Sequence, residues 1–353
     1  MTRLSVLVLF LAACGSKAAP PVSPLPEPKP EEAATPPAAD DKPAEVPAAP
    51  IELTIAAPQV TVKLVSPGKG KRAPVRYTAK PGDKHAVELA LDLSATQSLG
   101  TGAADTNVTP TLVLLADFEA KAVDQDGKIE YAVTLAGTDA REVQGAKEPV
   151  EKVKEALKVL STLKITGTVA ANGVGGEMTL HLDPTKDPSA ASLLDAVRLS
   201  MPPWPVLPTE PIAPGAKWQV TVGGRLADRI DVSQVTDYTL ASKKGKVWSI
   251  KGSTKVSGAD QDLGGGGKLT GITGTGATEA ALTEGAFYPV FKHWLETKFT
   301  ATAPDGSANF AIKVSGAATM RNGGPVDPPA APDAKAAPGK SEAKPAATPP
   351  AKP

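Results

Sequence analysis

The chain has 353 residues, with 38 Lys and Arg against 38 Asp and Glu, so its formal charge at pH 7 is zero. That balance argues against nucleic-acid binding, which calls for a basic excess on one face. With a single cysteine in the whole chain, no intrachain disulfide and no cysteine-based zinc site can form, and the fold must be held by its core alone.

Chain order begins with Arg3 as a short positive region and Leu4 to Leu11 as an apolar run. The run is too short to span a bilayer and is apolar nearly all round, unlike a core helix with one wet face. Leu11-Ala12-Ala13-Cys14 then places small residues before the cysteine. This segment resembles the lipobox of bacterial lipoproteins. The resemblance implies a signal peptide over 1–13, cleavage between Ala13 and Cys14, and a diacylglyceryl (and commonly palmitoyl) group on Cys14. Gly15 after the cysteine implies sorting to the outer membrane.

From 16 to 50 the chain is rich in Pro, Ala, Glu and Lys, with almost no large apolar residue. Such a stretch buries too little surface to fold, and its prolines favour extended polyproline II. It is expected to be a disordered spacer reaching roughly 100 Å when extended. Residues 323–353 repeat this chemistry and are expected to form a second disordered tail.

Between the tails, 51–322 is expected to be one globular domain, with two halves at about 75–200 and 201–322. Alternation over His85–Leu93, Leu112–Phe118 and Ile129–Leu135 predicts half-buried antiparallel strands, with Asp126-Gly127 as a hairpin turn. Val150, Val153, Leu157 and Leu160 share one face of a predicted helix. Lys164–Val169 and Glu177–Asp183 predict a hairpin around Asn172-Gly173. Asp187 and Pro188 then read as N-cap and first helical residue, followed by the stripe Ala190, Leu193, Leu194, Val197 and Met201.

After Pro202-Pro203 the pattern is all strand: Trp218–Val222, Val232–Leu240, Val247–Val256, Lys268–Thr278, Glu296–Thr302 and Phe310–Val314, with a turn at Pro304-Asp305-Gly306. Glycines at 264–267, 271, 274 and 276 predict bulges and bends of a strongly curved sheet. Pro81-Gly82-Asp-Lys84-His85 and Pro214-Gly215-Ala-Lys217-Trp218 look alike, each a Pro-Gly turn leading into a strand. The fold class expected is mainly β: a long, curved antiparallel sheet or half-barrel with two helices packed on one face.

Little in the chain points to chemistry. His85, His181 and His293 fall on separate elements without metal-ligand spacing, and no nucleophile elbow, zincin helix or phosphate loop is present. Asp124, Asp126 and Glu130 are explained by the hairpin and lack the spacing of a calcium loop. Lys69, Lys71 and Arg72 read as a solvated basic loop. No catalytic residue, metal or cofactor is expected. Trp218, Trp248 and Trp294 are expected to fill the core or line an apolar cavity.

Around Pro208-Thr-Glu-Pro211-Ile212-Ala-Pro214-Gly215-Ala-Lys217-Trp218 the chain resembles a family of uncharacterised β-rich bacterial lipoproteins. That family shares a Pro-x-x-Pro-[Ile/Val]-x-x-Gly-x-x-Trp segment. The strand-and-helix order is also similar to the half-barrels of lipoprotein carriers and glycolipid-binding lipoproteins. Together these imply a non-enzymatic envelope lipoprotein, attached to the membrane by its lipid, that binds a lipid-like ligand or an envelope protein. A purely structural domain held off the membrane by the spacer is the alternative, and a hydrolase acting on envelope polymers a weaker one.

Overall fold

Alternating apolar residues become strands wherever one face has something to cover. In the computed structural model, which describes residues 49–100, 102–200, 204–226, 230–263 and 266–323, this holds along most of the chain. The described residues contain fifteen strands. The first eight are β1 (Ile51–Ile55), β2 (Gln59–Ser66), β3 (Lys84–Leu99), β4 (Asp105–Val108), β5 (Thr111–Val123), β6 (Ile129–Arg141), β7 (Lys164–Val169) and β8 (Gly175–Leu182). The remainder are β9 (Lys217–Leu226), β10 (Ile230–Lys244), β11 (Val247–Ser257), β12 (Gln261–Asp262), β13 (Lys268–Thr283), β14 (Val290–Thr302) and β15 (Asn309–Asn322).

All belong to one sheet, ordered β1-β8-β7-β6-β5-β3-β15-β14-β13-β11-β10-β9-β2, with β4 beside β3 and β12 beside β13. Its ladders are antiparallel, and most neighbours are also successive in the chain. The long-range closure is β15 against β3, in register from Phe310↔Leu99 to Asn322↔Val87. The two edge strands, β1 and β2, are separated by residues 56–58 only. Four Cα steps span at most about 14 Å, so the sheet curls until its edges nearly meet. It therefore goes further round than half a barrel.

Bulges supply part of that curvature. The β13–β14 register shifts between Thr270 and Thr273, with Gly271 at φ +64° inside the shift. The two Pro-Gly turns are built alike. Gly82 has φ +90° and Gly215 has φ +84°. The Asp83 N–H donates to Lys80 O at 3.0 Å, and the Ala216 N–H to Ala213 O at 2.9 Å. The Gly82 and Gly215 N–H groups each donate at 2.8 Å, to Ala120 O in β5 and Leu240 O in β10. A bulge follows both acceptors, between Ala120 and Ala122 and between Leu240 and Ser242.

The segments leading into these turns close the domain. Ala73 bridges Ile212, and Tyr77 N–H donates to Ala171 O at 2.8 Å. The Tyr77 hydroxyl donates to Pro205 O at 2.8 Å, and Leu207 N–H to Asn172 O at 2.8 Å. Two extended segments and the β7–β8 turn are thus laced together around a fully buried Tyr77.

The two predicted helices are present. α1 (Val150–Leu157) runs on into a 3-10 turn at Lys158–Thr162 and buries Val153, Leu157 and Leu160. α2 (Ala190–Ser200) buries Ala190, Leu194 and Val197. Asp187 accepts hydrogen bonds from the backbone N–H and hydroxyl of Ser189, fixing the turn before α2. Met201, placed in this stripe by the sequence, lies outside the described residues.

The main core joins strands of both halves, both helices and Val75, Tyr77, Val206 and Leu207. A small second cluster, Ile230, Leu269 and Ile272, sits at the far end of β10 and β13. Buried hydroxyls occur on the same side of the sheet. Thr236 and Thr254 share a hydrogen bond at 2.9 Å, and Thr278 meets His293 Nδ1 at 2.8 Å. Strands β1, β2, β4 and β12 were not predicted individually. β1 and β2 alternate too, but their strand character rests on partners more than a hundred residues away.

Candidate functional site

Of the three tryptophans expected to fill the core or line an apolar cavity, Trp218 and Trp248 lie in the main core and Trp294 lies outside it. Trp218 is 1% exposed, donates through Nε1 to Val206 O at 2.7 Å, and stacks on Tyr238 with centroids 5.5 Å apart. Trp248 is also buried, with Lys243 Nζ 4.2 Å from its ring centroid. Trp294 is 48% exposed, so the core half of that expectation does not hold for it, and it lines a surface groove instead. The cause is parity: along β14, Phe291 is buried inward, and Trp294, three positions on, has the opposite orientation.

In register, Trp294 faces Ala317 on β15, which faces Asp92 on β3. The next row on the same face is Glu296, Ser315 and Ser94. Large side chains on β14 and small ones on β15 leave a groove of about 350 Å³ along β15. Leu93, Leu295 and Gly316 contribute to its floor, and Val108, Thr109 and Val143 line it on the β3 side. With strands about 4.8 Å apart, its walls on β3 and β14 stand roughly 10 Å apart. A second hollow of about 380 Å³ adjoins it through Val143 and is lined by Pro110, Glu142, Lys147 and Pro149, among others.

The groove's charges are partly answered. Asp92 accepts a hydrogen bond from the Thr111 hydroxyl. Glu296 lies 3.0 Å from Lys298 and 3.6 Å from Lys313. The hydrogen bond and charge of Lys298, joined by Lys313, hold the Glu296 carboxyl below its usual range.

Four residues back from Asp92 along β3, on the same face, Glu88 is buried between two arginines. Arg141 Nη2 and Arg321 Nη2 each donate to one of its carboxylate oxygens at 2.7 Å. Burial pushes the Glu88 carboxyl up, but the hydrogen bonds and charges of the two arginines outweigh it and lower the pKa. Sequence reasoning missed this group. Glu88 has the parity of a solvent-facing strand position, and only the pairing of β3 with β15 brings Arg321 across 233 residues.

The remaining polar candidates are spoken for locally. His85 packs on Phe287 and Tyr288. His181 lies 3.0 Å from Glu52 and 3.3 Å from Asp183. Burial lowers the pKa of His293. Asp124 spends its carboxylate on the N–H groups of Asp126 and Lys128, as a hairpin turn requires. Lys69, Lys71 and Arg72 are exposed on the loop after β2. Cys14, the segment 1–48 and the tail from 324 lie outside the described residues. Among the described residues no helix is long and apolar enough to cross a membrane.

No described protein family and no curated protein matches this chain. Among solved structures, Salmonella typhi OmpF in complex with daunomycin is similar to it at 7% identity, over 68% of this chain and 98% of that one, with a TM-score of 0.19. A superposition that loose carries no argument about fold or function.

Proposed function

We propose that this chain is a lipid-anchored envelope lipoprotein, fixed to the outer membrane through Cys14, that binds a ligand or partner without catalysing a reaction. The observation that carries the reading is the segment Leu11-Ala12-Ala13-Cys14, in which the chain's sole cysteine follows a short apolar run. Two or more acyl chains on that sulfur and its amine give durable attachment where one would not. A Pro-rich spacer then holds the β domain away from the bilayer.

Two features of the domain support a binding role on its outer surface. Its interior is occupied by its own side chains, with Trp218, Tyr77, Phe287, Leu91 and Leu207 fully buried. Along β11 the outward positions are polar: Ser249, Lys251, Ser253, Lys255 and Ser257 share the outer side. A transmembrane barrel carries an apolar band at such positions. This polarity supports a domain that works in water, with the lipid on Cys14 as its proposed attachment.

Membrane fractionation tests the proposal. Wild-type protein should pellet with membranes, whereas Cys14→Ala should accumulate as an uncut precursor or appear in the soluble fraction. Normal processing and unchanged membrane retention in the variant would refute the anchor.

A further inference from the structure

We propose that the groove along β15 binds the ring of a neutral sugar, stacked on Trp294. This inference rests on the groove's own geometry and stands apart from the anchor at Cys14. Among the described residues Trp294 is the one exposed aromatic side chain, and it lines a hollow on the outer face of the sheet. The floor beside it is kept low by Ala317, Gly316 and Ser315, which leaves room for a ligand against the half-exposed indole. The opposite wall carries Asp92 and Ser94, and the near wall Glu296.

These groups select the ligand's chemistry. Ionised carboxylates only accept hydrogen bonds, so the ligand must donate, and serine hydroxyls can both donate and accept. An anion is disfavoured by Asp92 and Glu296. A cation gains less than the two carboxylates suggest, because Lys298 and Lys313 already pair with Glu296. What remains is a neutral ring with an apolar face for the indole and hydroxyls around its rim, which describes a pyranose. A width of roughly 10 Å between the walls admits one ring across the groove. The volume of about 350 Å³ is at the small end for ligand sites, in keeping with one or two rings bound weakly.

The test is a titration of the full-length protein in detergent with chitotetraose and, separately, cellotetraose, read by tryptophan fluorescence. Trp218 and Trp248 are buried and Trp204 is partly buried against Tyr77 and Tyr131, away from the groove, so a ligand stacking there changes the emission of Trp294. A saturable change with Kd on the order of 1 mM is expected for at least one of the two oligosaccharides. Trp294→Ala should abolish it while leaving the melting temperature unchanged, and Asp92→Asn should weaken it about five- to tenfold. The proposal is overturned by no saturable change with either sugar up to about 10 mM, or by undiminished binding, measured calorimetrically, to the Trp294→Ala protein. Tighter binding of choline than of either sugar would also overturn it, making the groove a cation site. Because no membrane enters the titration, its failure would leave the lipid anchor untouched, and failure of the anchor would leave the groove untouched.

Discussion

Glu88 and Tyr77 show how single residues tie distant parts of the chain together. Glu88 joins β3 to Arg141 on β6 and Arg321 on β15. Removing one partner of a buried ion pair costs about 3–5 kcal/mol, and less here because both arginines reach solvent. Glu88→Gln is expected to lower stability by roughly 2 kcal/mol in urea denaturation. The pH dependence has a definite sign. A carboxyl with a lowered folded pKa contributes stability above its unfolded pKa of about 4.3 and loses it as pH falls through the folded value. The gap between wild type and Glu88→Gln should therefore shrink below about pH 4, and a gap that widened there would contradict the ion-pair account. Tyr77→Phe leaves the Pro205 carbonyl buried without the hydroxyl, at a cost of about 1–2 kcal/mol. A change within error would mean that the two crossing segments do not depend on this bond. Neither role is legible locally. Glu88 has the alternation of a wet position and Tyr77 sits among prolines and charges, whereas Trp218, entering a long strand after a Pro-Gly turn, is readable as core.

At the scale of elements, local chemistry was the most legible part. The Pro-Gly turns, the Asn172-Gly173 hairpin and both helix stripes follow from rules acting over a few residues. Close approaches between segments do not. Gly68 and Gly70 flank one residue in the same loop, both with left-handed backbones, at φ +82° and +101°. A Cβ at Gly68 would lie 2.2 Å from Ala213 O, whereas one at Gly70 meets nothing within 4 Å. Gly70→Ala should cost only the conformational penalty of about 1 kcal/mol, and Gly68→Ala at least about 2 kcal/mol, because backbone must shift as well. Equal melting temperatures for the two variants would show that the loop does not pack on the second Pro-Gly turn as described. Strand ends were also underestimated: β13 and β15 extend beyond their alternating apolar stretches because neighbouring strands satisfy their backbone groups.

For the whole molecule, the closure of the sheet was the feature least available from the sequence. Nothing within 51–66 states that β1 joins β8 while β2 joins β9, so that one short connection spans the seam between opposite edges. The groove is equally hidden, since it needs the register of β3, β15 and β14 together, of which the sequence offers only Trp294. Cys14 is the reverse case, readable from sequence and lying outside the described residues. The central claim, that this filled β domain works at the end of a lipid tether, is tested most directly by the intact mass and N-terminal peptide of the protein isolated from its native membrane. A chain beginning at Cys14 and carrying a diacylglyceryl thioether, with or without an N-acyl group, is the predicted result. A chain retaining Met1, or one beginning elsewhere with Cys14 unmodified, would contradict the account.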